Sequence, residues 1–192
     1  MNYSDSRARM QDLRRRIEET RREMHALRDS AEPESVVDYT FSNLDGPIRL
    51  SDLFGRRKEL FVIHNMGTSC PACTMWADGY NGVYDHLTSR AALVVSSPDA
   101  PEVQRQFASS RGWRFPMVSH AGTKFAEDMG YRSARGGWMP GVSVFRRGEG
   151  GLLRVGDTAF GPGDDFCSVW HFLDLLPGGA ADWHPRFAYP KD

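Results

Sequence analysis

Cys70-Pro71-Ala72-Cys73 constrains this chain more than any other four residues, because of what flanks them. The run Leu60-Phe61-Val62-Ile63 before them is apolar and reads as a buried strand, and Thr74-Met75-Trp76-Ala77 after them opens a segment of helical character. A Cys-x-x-Cys at a strand-to-helix turn sets its first thiol among the free N–H groups of a helix start, where a thiolate is stabilised near neutral pH. Pro71 suits an early helical position because its missing N–H costs nothing there. The placement predicts thiol–disulfide chemistry. Cys70, nearer the helix start and more exposed, would attack, and Cys73, one turn in, would resolve the mixed disulfide.

Length and charge narrow the setting. At 192 residues the chain suits one domain of about 150 residues plus an extension. Lys and Arg total 24 against 25 Asp and Glu, a formal charge of −1, which argues against nucleic acid or an anionic membrane as the main partner. Three cysteines are too few for a secreted disulfide framework, and no apolar run approaches the roughly 18 residues of a membrane span. The N-terminus is polar and charged, without the apolar core of a signal peptide. The expectation is a cytoplasmic protein with no cofactor, in which a lone Cys-x-x-Cys is redox-active or metal-binding.

Along the chain, residues 4 to about 30 read as one long helix, capped at Ser4 or Asp5. Met10, Leu13, Ile17, Met24 and Leu27, with Thr20 in the remaining slot, alternate at spacings of three and four, the seam of a short coiled coil. Two readings stand for this helix: laid across its own domain, or paired with a second subunit. Strands are expected at Val37 to Phe41, Ile48 to Leu50, Leu60 to His64 and Leu93 to Ser97. A further strand pair, Val142 to Phe145 and Leu152 to Val155, is joined as a hairpin by Gly148-Glu149-Gly150-Gly151. Helices are expected from the Cys motif to about Ser89, from Pro98 to Arg111, from Thr123 to Met129, and from about Asp164 to Leu175. The organisation is a helical extension (1–33), an α/β domain (34–177) whose mixed sheet carries helices on both faces, and an irregular tail (178–192).

Several residues around the motif carry chemical alternatives. Thr68 and Ser69 can donate hydroxyl hydrogen bonds near the sulfur or act as ordinary loop residues. His64, ending the central strand, can shift the thiolate or serve as a hydrogen-bonded structural residue. Trp76, Tyr80 and Tyr84 recur every four residues and read as core or site wall. Trp138 is a substrate-contact candidate because it stands on a loop. Cys167 and His171, four apart on the last helix, would complete a Cys3His zinc set with Cys70 and Cys73, or Cys167 would be a small buried residue; the expectation is no metal.

The order of elements, with Cys-x-x-Cys after the first central strand and Met139-Pro140 before Gly141-Val142-Ser143-Val144-Phe145, resembles the thioredoxin-like fold. That resemblance implies a cis peptide at Pro140 facing the Cys pair, with the backbone of Met139 offered to an extended substrate. Tyr39-Thr40-Phe41, Ile48 to Phe54 and Phe115-Pro116-Met117-Val118-Ser119 are similar to the peroxiredoxin branch. More narrowly, the chain resembles a bacterial thioredoxin-like family of unknown function labelled predicted dithiol-disulfide oxidoreductases. The phrases that carry this are the Cys motif followed by Trp76-Ala77-Asp78-Gly79-Tyr80-Asn81-Gly82, Gly141 to Phe145, and Phe172-Leu173-Asp174-Leu175-Leu176-Pro177.

Departures from the better-known relatives matter as much. The Trp preceding the first Cys of thioredoxins is Ser69 here. A peroxiredoxin needs Thr three residues and Pro seven residues before its reactive Cys. Counting back gives Gly67 and Ile63 from Cys70, and Cys70 and Met66 from Cys73. The resemblance therefore implies an oxidoreductase exchanging the Cys70/Cys73 pair with a protein disulfide or low-molecular-weight thiol. Substrate contacts would come from Thr68, Ser69, Trp138, Met139 and Pro140. A thiol peroxidase of unusual site and a non-catalytic binding module are the alternatives. The helical seam predicts a homodimer that weakens when residues 1–30 are deleted; size-exclusion chromatography giving a monomer both before and after deletion would refute it.

Overall fold

A computed structural model describes residues 2–190; residues 1, 191 and 192, at the ends of the expected extension and tail, lie outside the described residues. Its contacts divide the chain into a unit that ends at Glu34 and a second that starts at Ser35. The first is a helix, α1 (Tyr3–Ser30). Its cap is Asn2 instead of Ser4 or Asp5: the Asn2 Oδ1 accepts the Asp5 N–H at 2.8 Å, satisfying one of the orphan donors of the first turn. The expected helix forms, with its apolar stripe on α1. None of its residues is buried, and Met10, Leu13, Ile17, Met24 and Leu27 are 41–69% exposed.

The strands are β1 (Glu34–Val36), which straddles the junction, and in the second unit β2 (Thr40–Asn43), β3 (Gly46–Arg49), β4 (Glu59–His64), β5 (Ala92–Ser97), β6 (Met117–Ser119), β7 (Gly141–Gly148) and β8 (Gly151–Ala159). They form one sheet in the order β1-β8-β7-β4-β5-β6-β2-β3. The pairs β4–β5 and β5–β6 are parallel, whereas β7 runs antiparallel to β4 and β8, and β2 antiparallel to β3 and β6. The helices are α2 (Pro71–Arg90), α3 (Pro101–Arg111), α4 (Phe125–Asp128) and α5 (Ser168–Leu173). The sheet is mixed, as expected for the thioredoxin-like α/β fold.

Alternation along the central strands splits the core in two. Leu60, Val62, Val94 and Phe145 face Phe41, Phe54, Phe125 and Tyr131, on the side covered by α4. Ile63, Leu93, Val95 and Val142 face Trp76 and Tyr80 of α2, Phe115, and Trp170 of α5. Trp76 and Tyr80 are thus core, as their helical spacing predicts. Gly79 and Gly82 lie within α2 without breaking it. Packing of the buried face outweighs their low helix propensity.

Several element boundaries differ from the sequence reading: β1 is not among the expected strands, α3 begins at Pro101, β7 and β8 run on to Gly148 and Ala159, and two further differences have a local cause. The strand expected at Val37 to Phe41 begins only at Thr40, because the Tyr39 N–H turns back to the Val37 carbonyl at 3.0 Å. There Asp38 accepts both the N–H (2.8 Å) and the hydroxyl (2.7 Å) of Ser51. The last helix starts at Ser168 and not Asp164, since the Asp164 carboxylate is occupied by the N–H groups of Gly161 and Phe166, both at 2.9 Å. That local turn competes with helix initiation. The irregular tail is tied down: Trp183 meets the Trp170 ring edge-on at 5.7 Å, and the Phe187 carbonyl accepts from Arg111 at 3.0 Å.

Gly141, at the start of β7, shows what fixes the sheet end nearest the Cys motif. A Cβ there would collide with the Tyr131 ring and approach the Thr158 carbonyl to 2.6 Å. Tyr131 fills that space because its hydroxyl reaches the carbonyls of Val142 (2.9 Å) and Thr158 (3.0 Å). Gly141→Ala should therefore destabilise the fold by roughly 1–3 kcal/mol through overpacking. Gly156→Ala, where nothing lies within 4 Å, should change it by no more than about 0.5 kcal/mol. Urea unfolding of both variants measures the difference.

Candidate active site

The segment between β4 and α2 is held by a nearly complete set of backbone hydrogen bonds. The Asn65 N–H donates to the Ser96 carbonyl at 2.9 Å, and the Asn65 side chain accepts the Gly67 N–H at 2.8 Å. The Met66 N–H points to the Cys73 sulfur at 3.5 Å. Thr68 donates its N–H to Asp99 at 2.9 Å, and the Cys70 N–H closes a turn onto the Gly67 carbonyl at 3.1 Å. Gly67 has φ 104°, a conformation that only glycine adopts without strain. The loop thus delivers Cys70 to the N-cap of α2, with Pro71 in the first turn, as the sequence predicts.

At that N-cap the Cys70 sulfur stands where a capping Ser or Asp oxygen usually does. It accepts the Cys73 N–H at 3.1 Å. Both thiols are reduced and both are buried, Cys70 at 8% exposure and Cys73 at 3%. The expected difference in exposure is present but small. The electrostatic difference is large. A hydrogen bond from the Cys73 thiol, with further ones from the N–H groups of Cys73 and Ala72, outweighs burial and lowers Cys70 to about 7. Cys73 moves far the other way, because it donates that bond to Cys70, is desolvated, and faces the charge that Cys70 acquires. Deprotonation of the pair therefore begins at Cys70.

The other sequence-predicted residues are placed unevenly. Thr68 does not turn to the sulfur: its N–H and hydroxyl both face the Asp99 carboxylate, at 2.9 and 3.5 Å. Ser69 is exposed. Pro140 precedes Gly141, the partner of His64 in the β4–β7 register, so it leaves the sheet at the same end as the Cys loop. No cis peptide occurs among the described residues, so the Met139–Pro140 bond is trans, correcting the expected cis-proline. The backbone before it is drawn out in antiparallel pairing, with Arg132 bridged to Trp138 and the Met139 N–H on the Tyr131 carbonyl at 2.9 Å. An extended approach is met by the ordinary trans isomer. The same bond commits the Met139 N–H expected to receive a substrate strand, and the Pro140 carbonyl accepts the Phe160 N–H at 2.9 Å. Trp138 is half-buried between the Arg132 guanidinium (4.3 Å) and the His120 ring (4.8 Å), a fixed wall at this end of the sheet.

His64 is structural. It stacks on Tyr131 at 3.7 Å and bonds Ser143 at 2.9 Å, and burial holds it neutral, well below the usual imidazole range. Cys167 stands buried at the N-cap position of α5 without a side-chain capping bond, and His171 pairs with Asp165 at 3.7 Å on the surface. Among the described residues no group of three His, Cys, Asp or Glu side chains is gathered to hold a metal, so the Cys3His set is not assembled. Among the described residues no helix is long and apolar enough to cross a membrane.

Sequence reasoning passed over Asn65, Ser97, Asp99, Gln104 and His120. His120 is buried, bonded through Nδ1 to Ser96 at 2.9 Å, and lowered to about 4 by desolvation. None of the five lies within a recognisable motif. The one available signal was that Asn65, Asp99 and His120 follow β4, β5 and β6, at the end where open α/β sheets bind ligands.

Among curated proteins none matches this sequence. Solved structures do match the fold. Peroxidoxin BcpB from Mycobacterium tuberculosis is 23% identical over 66% of this chain and 80% of its own, with a TM-score of 0.50. Reduced Prx3 from Vibrio vulnificus is 15% identical over 70% and 89%, with a TM-score of 0.55. A PrxQ mutant from Xylella fastidiosa is 13% identical over 67% and 85%, with a TM-score of 0.56. At these identities the likeness establishes the thioredoxin-like fold, which the peroxiredoxins share. The family described as "Bacterial protein of unknown function (DUF899)" matches residues 5–188, nearly the whole chain, and this protein belongs to it.

Proposed function

We propose that this chain is a thiol–disulfide oxidoreductase working through Cys70 and Cys73. The observation that carries this reading is the N-cap geometry: the Cys73 N–H reaches the Cys70 sulfur at 3.1 Å, and the two thiols are driven in opposite directions. In the reducing direction the Cys70 thiolate attacks one sulfur of a substrate disulfide. A mixed disulfide forms, and the other substrate sulfur leaves as a thiolate that takes up a proton. Cys73 then gives up its proton and attacks the Cys70 sulfur, releasing the second substrate thiol. Two electrons and two protons have passed to the substrate, and Cys70–Cys73 is left as a disulfide. The substrate class is a protein disulfide or a low-molecular-weight disulfide, met at the sheet end bordered by Trp138, Met139 and Ser69.

Thiol peroxidase activity is the second reading, favoured by the fold shared with proteins named peroxidoxin and peroxiredoxin. Against it stand Gly67 and Ile63, where counting back from Cys70 would require Thr and Pro.

The two thiols have different pH behaviour. Below about pH 7 Cys70 is protonated and unreactive; above it the thiolate dominates. Alkylation of the reduced protein should therefore fall selectively on Cys70 and rise through a midpoint near pH 7, with Cys73 and Cys167 lagging. Equal, slow labelling of all three would contradict the reading. Cys73→Ser should accumulate mixed disulfides with substrate, while Cys70→Ser should trap none. A rapid-mixing burst with hydroperoxide in the wild type, without disulfide exchange, would favour the peroxidase reading.

A further inference from the structure

Asp99 stands just past the end of β5, and its carboxylate converges on the loop that presents Cys70. One carboxylate oxygen accepts the Thr68 N–H at 2.9 Å and the Ser97 hydroxyl at 3.1 Å, while the other lies 3.5 Å from the Thr68 hydroxyl. A Cβ on Gly67 would come within 3.0 Å of the same carboxylate, so Asp99 occupies the space that the missing side chain leaves. The support behind Asp99 is fully buried. Ser97 is held by Gln104 of α3, whose amide donates to the Ser97 hydroxyl at 2.9 Å and to the Val118 carbonyl of β6 at 3.0 Å. Thr68 is thereby tied, through Asp99 and Ser97, to three elements of the domain.

We propose that Asp99 is the positioning residue of the dithiol site: it latches residues 66–70 so that the Met66 N–H faces the Cys73 sulfur and the N-terminus of α2 faces Cys70. The proposal rests on the thiol–disulfide reading for its purpose, but its geometry is independent of any substrate. Gly67 lets the loop turn at φ 104°, and the hydrogen bonds from Asn65 to Ser96 and from Thr68 to Asp99 join it to β5 and to the residues just past its end. Thiolate stabilisation by N–H groups falls off steeply with distance and angle, so a loosened loop loses it first. A carboxylate acting merely through its charge would do the reverse, since a nearby negative charge disfavours the thiolate. The latch and the charge therefore predict opposite signs.

The test is the ultraviolet thiolate titration of Cys70 in the full reduced chain, with thermal unfolding as a separate readout. Asp99→Ala should raise the Cys70 midpoint by about one unit, a tenfold smaller thiolate fraction at a pH below both midpoints. Ser97→Ala, which removes the support without touching the loop, should raise it by less. Asp99→Asn keeps an acceptor for the Thr68 N–H and should stay within a few tenths of wild type. A fall in the midpoint for both Asp99 variants would overturn the latch in favour of a charge effect. Lowered thermal stability with every midpoint unchanged would overturn it in favour of a general structural role. If Asp99→Ala does not fold, an unshifted Ser97→Ala overturns the proposal by itself. A wild-type Cys70 that titrates in the ordinary thiol range would instead remove the redox reading, a result distinct from any of these.

Discussion

The hydrogen bond from the Cys73 N–H to the Cys70 sulfur organises this molecule's chemistry. It exists because a helix begins where it does. The first N–H groups of α2 have no intrahelical partner, and a sulfur at the N-cap satisfies one of them. Burial alone would push both thiols up; the N–H groups and the neighbouring thiol reverse that for Cys70 only. Two cysteines three residues apart thus acquire different acidities chiefly through hydrogen bonds and burial. The free energy involved is modest, since each pKa unit is about 1.4 kcal/mol, but it sets which thiol gives up its proton first.

Holding that N-cap in place is the work of the sheet. Parallel β4 and β5 end together, and the loop leaving β4 is pinned to β5 by Asn65 and Thr68 before it turns into α2. Antiparallel β7 enters from the same end behind Pro140, and Tyr131 closes the space that Gly141 leaves open. The neighbouring His64 and His120 are kept neutral by burial, so neither imidazole brings positive charge toward the thiols. The selectivity of the pair thus arises from short-range hydrogen bonds.

Much of this was legible before any coordinates. The apolar run from Leu60, the Cys motif and the helical segment beyond it identified the central strand, the turn and the buried face of α2, because period and punctuation are local properties. The hairpin after Phe145 was legible for the same reason. What the sequence hid was non-local. Asp38 and Asp164 read as strand and cap residues, but Ser51 and the N–H groups of Gly161 and Phe166 claim them. Pro140 was recognised by its place in a pattern, but its peptide bond is trans. Asp99 lies 31 positions from Thr68 and carries no motif, so no reading of spacing could have joined them.

Membership in a family of unknown function and a fold shared with peroxiredoxins leave the reaction to be decided by the site. The most direct test is to equilibrate the protein in glutathione buffers across a range of potentials and map its disulfides by mass spectrometry. The expected result is a single reversible two-electron transition that links Cys70 to Cys73 and leaves Cys167 a free thiol. Irreversible over-oxidation of Cys70, or a linkage through Cys167, would contradict it.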